Sequence, residues 1–80
     1  MNQLDMFALP DNPFPRETQS HRVYSWLQEY KQVYLSELHH VLKVDTARVR
    51  VDVKRFLRQN GYEIECFRIR EGETLYKVTP

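Results

Sequence analysis

"VDTARVRVDVKRFLRQNGY", Val44 to Tyr62, carries the pattern of one amphipathic helix with a start and a stop. Val49, Val53, Phe56 and Leu57 stand at i, i+4, i+7 and i+8, which puts them on one apolar stripe of a helix. Asp45 is suited to cap its start, because a short carboxylate there accepts from a free backbone N–H. Asn60 and Gly61 supply its stop, since either tolerates the left-handed backbone that ends helices. Thr46, Ala47, Arg50, Val51 and Lys54 are left on the opposite, outward face. The segment 45–60 sets Arg48, Arg50, Lys54, Arg55 and Arg58 against Asp45 and Asp52, five positive charges against two negative, in a chain whose total is only +1. Charge gathered in this way reads as an electrostatic footprint for nucleic acid or as a solvated helix face.

Downstream the pattern changes to β. "YEIECFRIR" and "TLYKVT" are rich in β-branched and aromatic residues, and Glu71 to Glu73 form the turn between them, with Gly72 giving backbone freedom. Upstream, "SELHHVLK" reads as a second helix capped by Ser36, with Leu38, Val41 and Leu42 as its apolar face. Only Lys43 and Val44 separate it from the cap of the third helix, so the two must meet at an angle. Gln32 to Leu35 is short and β-prone. A first helix runs from about Glu17 to Lys31, burying Val23, Leu27 and Tyr30 together with Trp26. Helix, short strand, two angled helices and a hairpin make an α+β fold, and that order is the order of a winged helix-turn-helix.

The stretch from Ser36 to Val78, a little over half the chain, resembles the winged-helix domains of small bacterial regulators, such as the DNA-binding domain of biotin-ligase repressors. The family's leucine-containing helix, turn, valine-bearing helix, glycine and wing correspond to "LSELHHVLKVD", Val49 and Val53, "NGYEIE" and the hairpin. Two departures stand out: Lys43 occupies the usual turn glycine position, and the third helix carries one residue more before Gly61. The resemblance implies double-stranded DNA as partner, read by the third helix. Arg50 then donates two bonds to a guanine edge, and Val51 meets a thymine methyl or is merely tolerated. Arg55 and Arg58 suit phosphates, and Arg68, Arg70 and Lys77 on the wing suit the backbone or the minor groove. Glu63, Glu65, Glu71 and Glu73 repel phosphate and favour the other use of winged helices, protein binding.

The chain opens with an apolar segment that runs into three prolines. Within it "QLDMF", Gln3, Leu4, Asp5, Met6 and Phe7, resembles the pentapeptide with which bacterial proteins dock on the replicative sliding clamp, with Met6 in the place of a leucine of similar volume. Gln3 offers a donor and an acceptor to a polar pocket, and Leu4, Met6 and Phe7 fill an apolar cleft. Pro10, Pro13 and Pro15 disfavour helix and read as a semi-rigid spacer. Residues 1–15 are therefore expected as a flexible arm and 16–80 as the domain. The alternative is that Met6, Phe7, Leu9 and Phe14 pack on the first helix and enlarge a thin core.

Catalytic chemistry is not expected. His39 and His40 are adjacent on one helix, so their side chains diverge by about 100° and make a poor pair of metal ligands. Cys66, the single cysteine, has no catalytic signature and no internal disulfide partner, which suggests a reducing, cytoplasmic setting. No phosphate loop or nucleophile motif is present, and no cofactor or metal is implied. Tyr24, Trp26, Tyr30 and Tyr34 are mostly expected in the core. Any left exposed mark an interface, including that of a homodimer, since many helix-turn-helix proteins read two half-sites. The sequence thus points to a small bacterial or phage DNA-binding protein tethered to the sliding clamp and acting in regulation or recruitment at replicating DNA. The alternatives are a transcriptional regulator with no clamp role, or a clamp-binding module without DNA binding.

Overall fold

The computed structural model describes residues 7–80. The first helix, α1, spans Gln19–Tyr30. Thr18 caps it by accepting from the His21 N–H at 3.1 Å, and Lys31 closes it in a left-handed conformation at φ 64°. Its buried side is Ser20, Val23, Tyr24 and Leu27. The expected stripe is therefore rotated: Tyr30 is 58% exposed and Trp26 only partly buried. Tyr24 goes inward because its hydroxyl finds a partner there, donating to the Pro10 carbonyl at 2.7 Å, as a buried tyrosine requires.

Strand β1, Gln32–Tyr34, leads into α2, an α-helical turn Leu35–Glu37 continued by the π-helical Leu38–Leu42. Ser36 does not cap this helix. The Glu37 carboxylate reaches back to accept from the Tyr34 N–H at 2.8 Å, while the Ser36 hydroxyl and N–H donate to Glu73 at 2.8 and 3.1 Å. Leu38 is buried and Leu42 packs on the core, but Val41 is 59% exposed. A π-helix turns through a smaller angle per residue than an α-helix, so Val41 is carried off the face that Leu38 defines. Lys43 then adopts a left-handed conformation, φ 57° and ψ 49°, and the Val44 N–H donates to the Leu38 carbonyl at 2.8 Å. Arg22 of α1 donates to the carbonyls of Leu42 and Lys43 at 3.1 and 3.3 Å, placing a cation where the helix ends in free acceptors.

Asp45 starts α3 as expected, its carboxylate accepting from the Ala47 N–H at 3.0 Å. The helix is π-helical over Arg48–Val53 and α-helical over Lys54–Gln59. Val49, Val53 and Leu57 are fully buried and Phe56 packs beside them. Gly61 ends it at φ 86°, with the Tyr62 N–H donating back to the Leu57 carbonyl at 2.9 Å. Asn60 keeps a negative φ of −110°, so the left-handed position falls to the glycine, which has no Cβ to clash.

Strands β2, Glu63–Arg70, and β3, Glu73–Thr79, form the C-terminal hairpin, with Gly72 at φ 83° in the turn. The sheet runs β1-β3-β2, all antiparallel. Val33 pairs with Tyr76 and Ile64 with Val78, and all four are buried, so one sheet face closes over the helices. The chain is thus α+β: three helices against a three-stranded antiparallel sheet.

The segment expected as a free spacer is packed over residues 7–15. Leu9 is a core residue at 9% exposure. Phe14 lies edge-on to Tyr24 and Phe56, with ring centroids 5.8 and 5.9 Å away. Asn12 donates to the His21 carbonyl and to Ser25 Oγ, both at 3.0 Å, and Gln28 donates to the Pro10 carbonyl at 2.9 Å. The Phe7 ring sits 5.5 Å from that of Tyr62, with Lys31 Nζ 5.9 Å from its centroid. The prolines exclude helix here, but they leave an extended chain free to lay its apolar side chains on a core. Gln3, Leu4, Asp5 and Met6 lie outside the described residues.

Candidate nucleic-acid interface

The outward face of α3 follows from its inward one. Because Val49, Val53 and Leu57 point into the core, Arg50, Val51 and Arg55 are exposed and Thr46, Ala47 and Lys54 sit at the margin. Arg50, Val51, Lys54, Arg55, Arg58 and Gln59 line a shallow cavity of about 450 Å³ along this face. A second cavity of about 340 Å³ lies where the helix start meets β2, between Thr46, Ala47, Arg50, Val51 and Lys54 on one side and Ile64 and Cys66 on the other. The structure therefore brings the five outward helix positions together and adds the first hairpin strand as a wall.

The cations differ in what they already bind. Arg58 is engaged: it grips Glu63 with Nε and Nη2, at distances of 2.8 to 3.3 Å. That hydrogen bond holds the Glu63 carboxyl below the usual carboxylate range, with Lys54 adding a smaller pull. Arg48 is likewise paired, with Asp52 at 2.7 Å, and Asp52 also accepts from the buried Ser20 hydroxyl at 3.0 Å. These two are the only ion pairs found among the described residues. Among the described residues, Arg50, Lys54 and Arg55 are thus left with no carboxylate in contact. An arginine or lysine with no internal partner keeps its full capacity for phosphate or base edges.

The hairpin cations divide by strand alternation. Ile64 is buried beneath α3, so Cys66 and Arg68, two and four residues on, share the face turned toward the helix. A register irregularity falls between Arg68 and Arg70, and Arg70 pairs with Glu73. Lys77 pairs with Glu65 and with Gln32 on the opposite sheet face, since its neighbours Tyr76 and Val78 are the buried ones. Lys77 is thus not brought to the α3 side. Cys66 is the cleft residue that the sequence reading did not single out for this site, and the alternation from Ile64 is the signal that finds it. Burial pushes the phenol of Tyr76 up, Cys66 adding to the effect and Arg50 opposing it, which places Arg50 beside the sheet.

No group of three or more His, Cys, Asp or Glu among the described residues is arranged to hold a metal ion, and none of their helices is long and apolar enough to cross a membrane. Comparison of the chain with family models, with characterised proteins and with solved structures finds no match.

Proposed function

We propose that this chain is a winged helix-turn-helix module that binds duplex DNA, with α3 in the major groove and β2 beside the backbone. The observation that carries this reading is the group of exposed Arg50 and Arg55 with the half-buried Lys54 on α3, none with a carboxylate partner among the described residues, opposite the buried Val49, Val53 and Leu57. Arg50 and Val51 face base edges, a guanidinium for guanine and an apolar side chain for a thymine methyl. Lys54, Arg55 and Arg68 meet phosphates. Arg58 braces the hairpin through Glu63 instead of contacting DNA. A second contact, docking of Gln3 to Phe7 on a sliding clamp, is favoured by the pentapeptide itself and requires Phe7 to leave Tyr62. Tethered to the clamp, even modest DNA affinity is raised by effective concentration.

Fluorescence anisotropy with a random-sequence duplex and with a selected site tests the first contact. Arg50→Ala is expected to weaken the selected site by about tenfold or more, the worth of a good base contact, and Arg58→Ala by far less. Equal losses from the two variants would overturn the assignment of α3.

A further inference from the structure

Away from α3, α1 and β1 enclose a cavity of about 330 Å³ lined by Trp26, Tyr30, Gln32, Tyr34 and Glu37. Trp26 and Tyr30 are one helical turn apart, their rings 4.7 Å between centroids and inclined at 52°. Two of its walls are held in place. The indole N–H of Trp26 donates to the Gln32 carbonyl at 3.2 Å, which ties the ring to β1. The Glu37 carboxylate is anchored by one oxygen on the Tyr34 N–H, and the other oxygen has no hydrogen bond among the described residues. Tyr30 is 58% exposed, so its ring opens to solvent, while Trp26 and Tyr34 are half-buried. No lysine or arginine lines the cavity.

Three aromatic rings and one carboxylate, with no internal cation, are the chemistry of a site for a positively charged group. The negative face of each ring attracts a cation, and the carboxylate supplies a formal charge. Because Trp26 and Glu37 are fixed by hydrogen bonds to the backbone, little freedom of these two side chains is lost on binding. A planar guanidinium suits this arrangement best: it stacks on indole or phenol and donates to a carboxylate at the same time. We propose that this cavity receives an arginine side chain of a protein partner. The charge complementarity is local, since Glu37 lies in the cavity while the unpaired cations of α3 lie elsewhere. The assignment is independent of DNA binding and can fail or stand without it.

Trp26 is the chain's only tryptophan, so its emission reports on the cavity directly. The full chain is titrated at constant ionic strength with a blocked Gly-Arg-Gly peptide, its citrulline counterpart and tetramethylammonium. The expected result is a saturable change with the arginine peptide in the millimolar range and none with citrulline. Glu37→Gln retains an acceptor for the Tyr34 N–H and is expected to weaken the response about threefold to fivefold, the worth of an exposed ion pair. An equal response to citrulline, no saturable response to arginine, or an unchanged Glu37→Gln would overturn the proposal. Saturation by tetramethylammonium alone would overturn it in favour of a small quaternary ammonium ligand. Self-association in sedimentation that Glu37→Gln abolishes would overturn it in favour of a second copy of this chain.

Discussion

Replacing Leu9 by Ala separates a packed N-terminal segment from a free one. Leu9 is a core residue at 9% exposure, yet it lies among prolines, without secondary structure of its own. A truncated core leucine costs about 2–5 kcal/mol, depending on how far the site collapses. Leu9 belongs near the lower end, since it sits at the core margin on a segment that can relax, so about 2–3 kcal/mol is expected. For a domain of this size each kcal/mol moves the midpoint by about 4–8 °C, giving a drop of about 10–20 °C. The assay is thermal unfolding followed by circular dichroism, with a urea titration to obtain the free energy. The m-value is expected to stay unchanged, because the native state loses a contact and not its compactness. A loss below about 0.5 kcal/mol, the range of ordinary surface substitutions, would refute the packing of residues 7–15 and restore the free arm.

Other expectations follow from particular contacts. Lys43, left-handed at φ 57°, is strained as any L-residue with a Cβ is there, so Lys43→Gly is expected to raise stability by up to about 1 kcal/mol in urea unfolding. Gly61→Ala is expected to lower it by about 1 kcal/mol, through backbone strain at φ 86° alone, since no atom lies within 4 Å of the added methyl. The Tyr24 hydroxyl is pushed up from 10.0 to about 12, mainly by burial and secondarily by Tyr62 and Asp11. The unfolded chain therefore loses that proton first, and stability is expected to hold below pH 10 and fall as pH rises toward 12. Tyr24→Phe should flatten this alkaline fall, a steeper or unchanged slope counting against it. Tyr62→Ala releases Phe7 from an aromatic pair worth about 0.5–1.5 kcal/mol, so binding of the full chain to a bacterial sliding clamp is expected to tighten severalfold. Weaker or equal binding would exclude competition between Tyr62 and the clamp for Phe7.

The third helix and the hairpin were legible because their signals are local. Val49, Val53 and Leu57 repeat at one spacing, Asp45 and Gly61 bracket them, and the β-rich runs flank Gly72. The rotation of α1 was not legible, because Tyr24 and Tyr30 are chemically alike and only long-range partners, the Pro10 carbonyl and the rings of Phe14 and Phe56, distinguish them. A period of 3.6 turns Val41 inward with Leu38, but the backbone there is π-helical and carries it outward. Ser36 is a good cap by composition, but Glu73, 37 residues away, competes for it. The packing of Leu9 and Phe14 has no periodic signature at all, since an extended segment meets the core through long-range contacts. For the candidate site, the outward face of α3 was readable by subtraction. The pairing of Arg58 with Glu63 and the wrong-sided Lys77 needed the strand register.

If α3 and β2 form a DNA-binding face, duplex binding weakens with salt by a calculable amount. With Lys54, Arg55 and Arg68 on phosphates, log Kobs is expected to fall against log salt with a slope of about −2.7, that is about −0.9 for each neutralised phosphate. Lys54→Gln with Arg55→Gln should reduce that slope to about −0.9 while leaving the fold intact by circular dichroism. Binding that is absent at low salt, or whose slope is unchanged by the double substitution, would rule out α3 as the DNA-contacting helix.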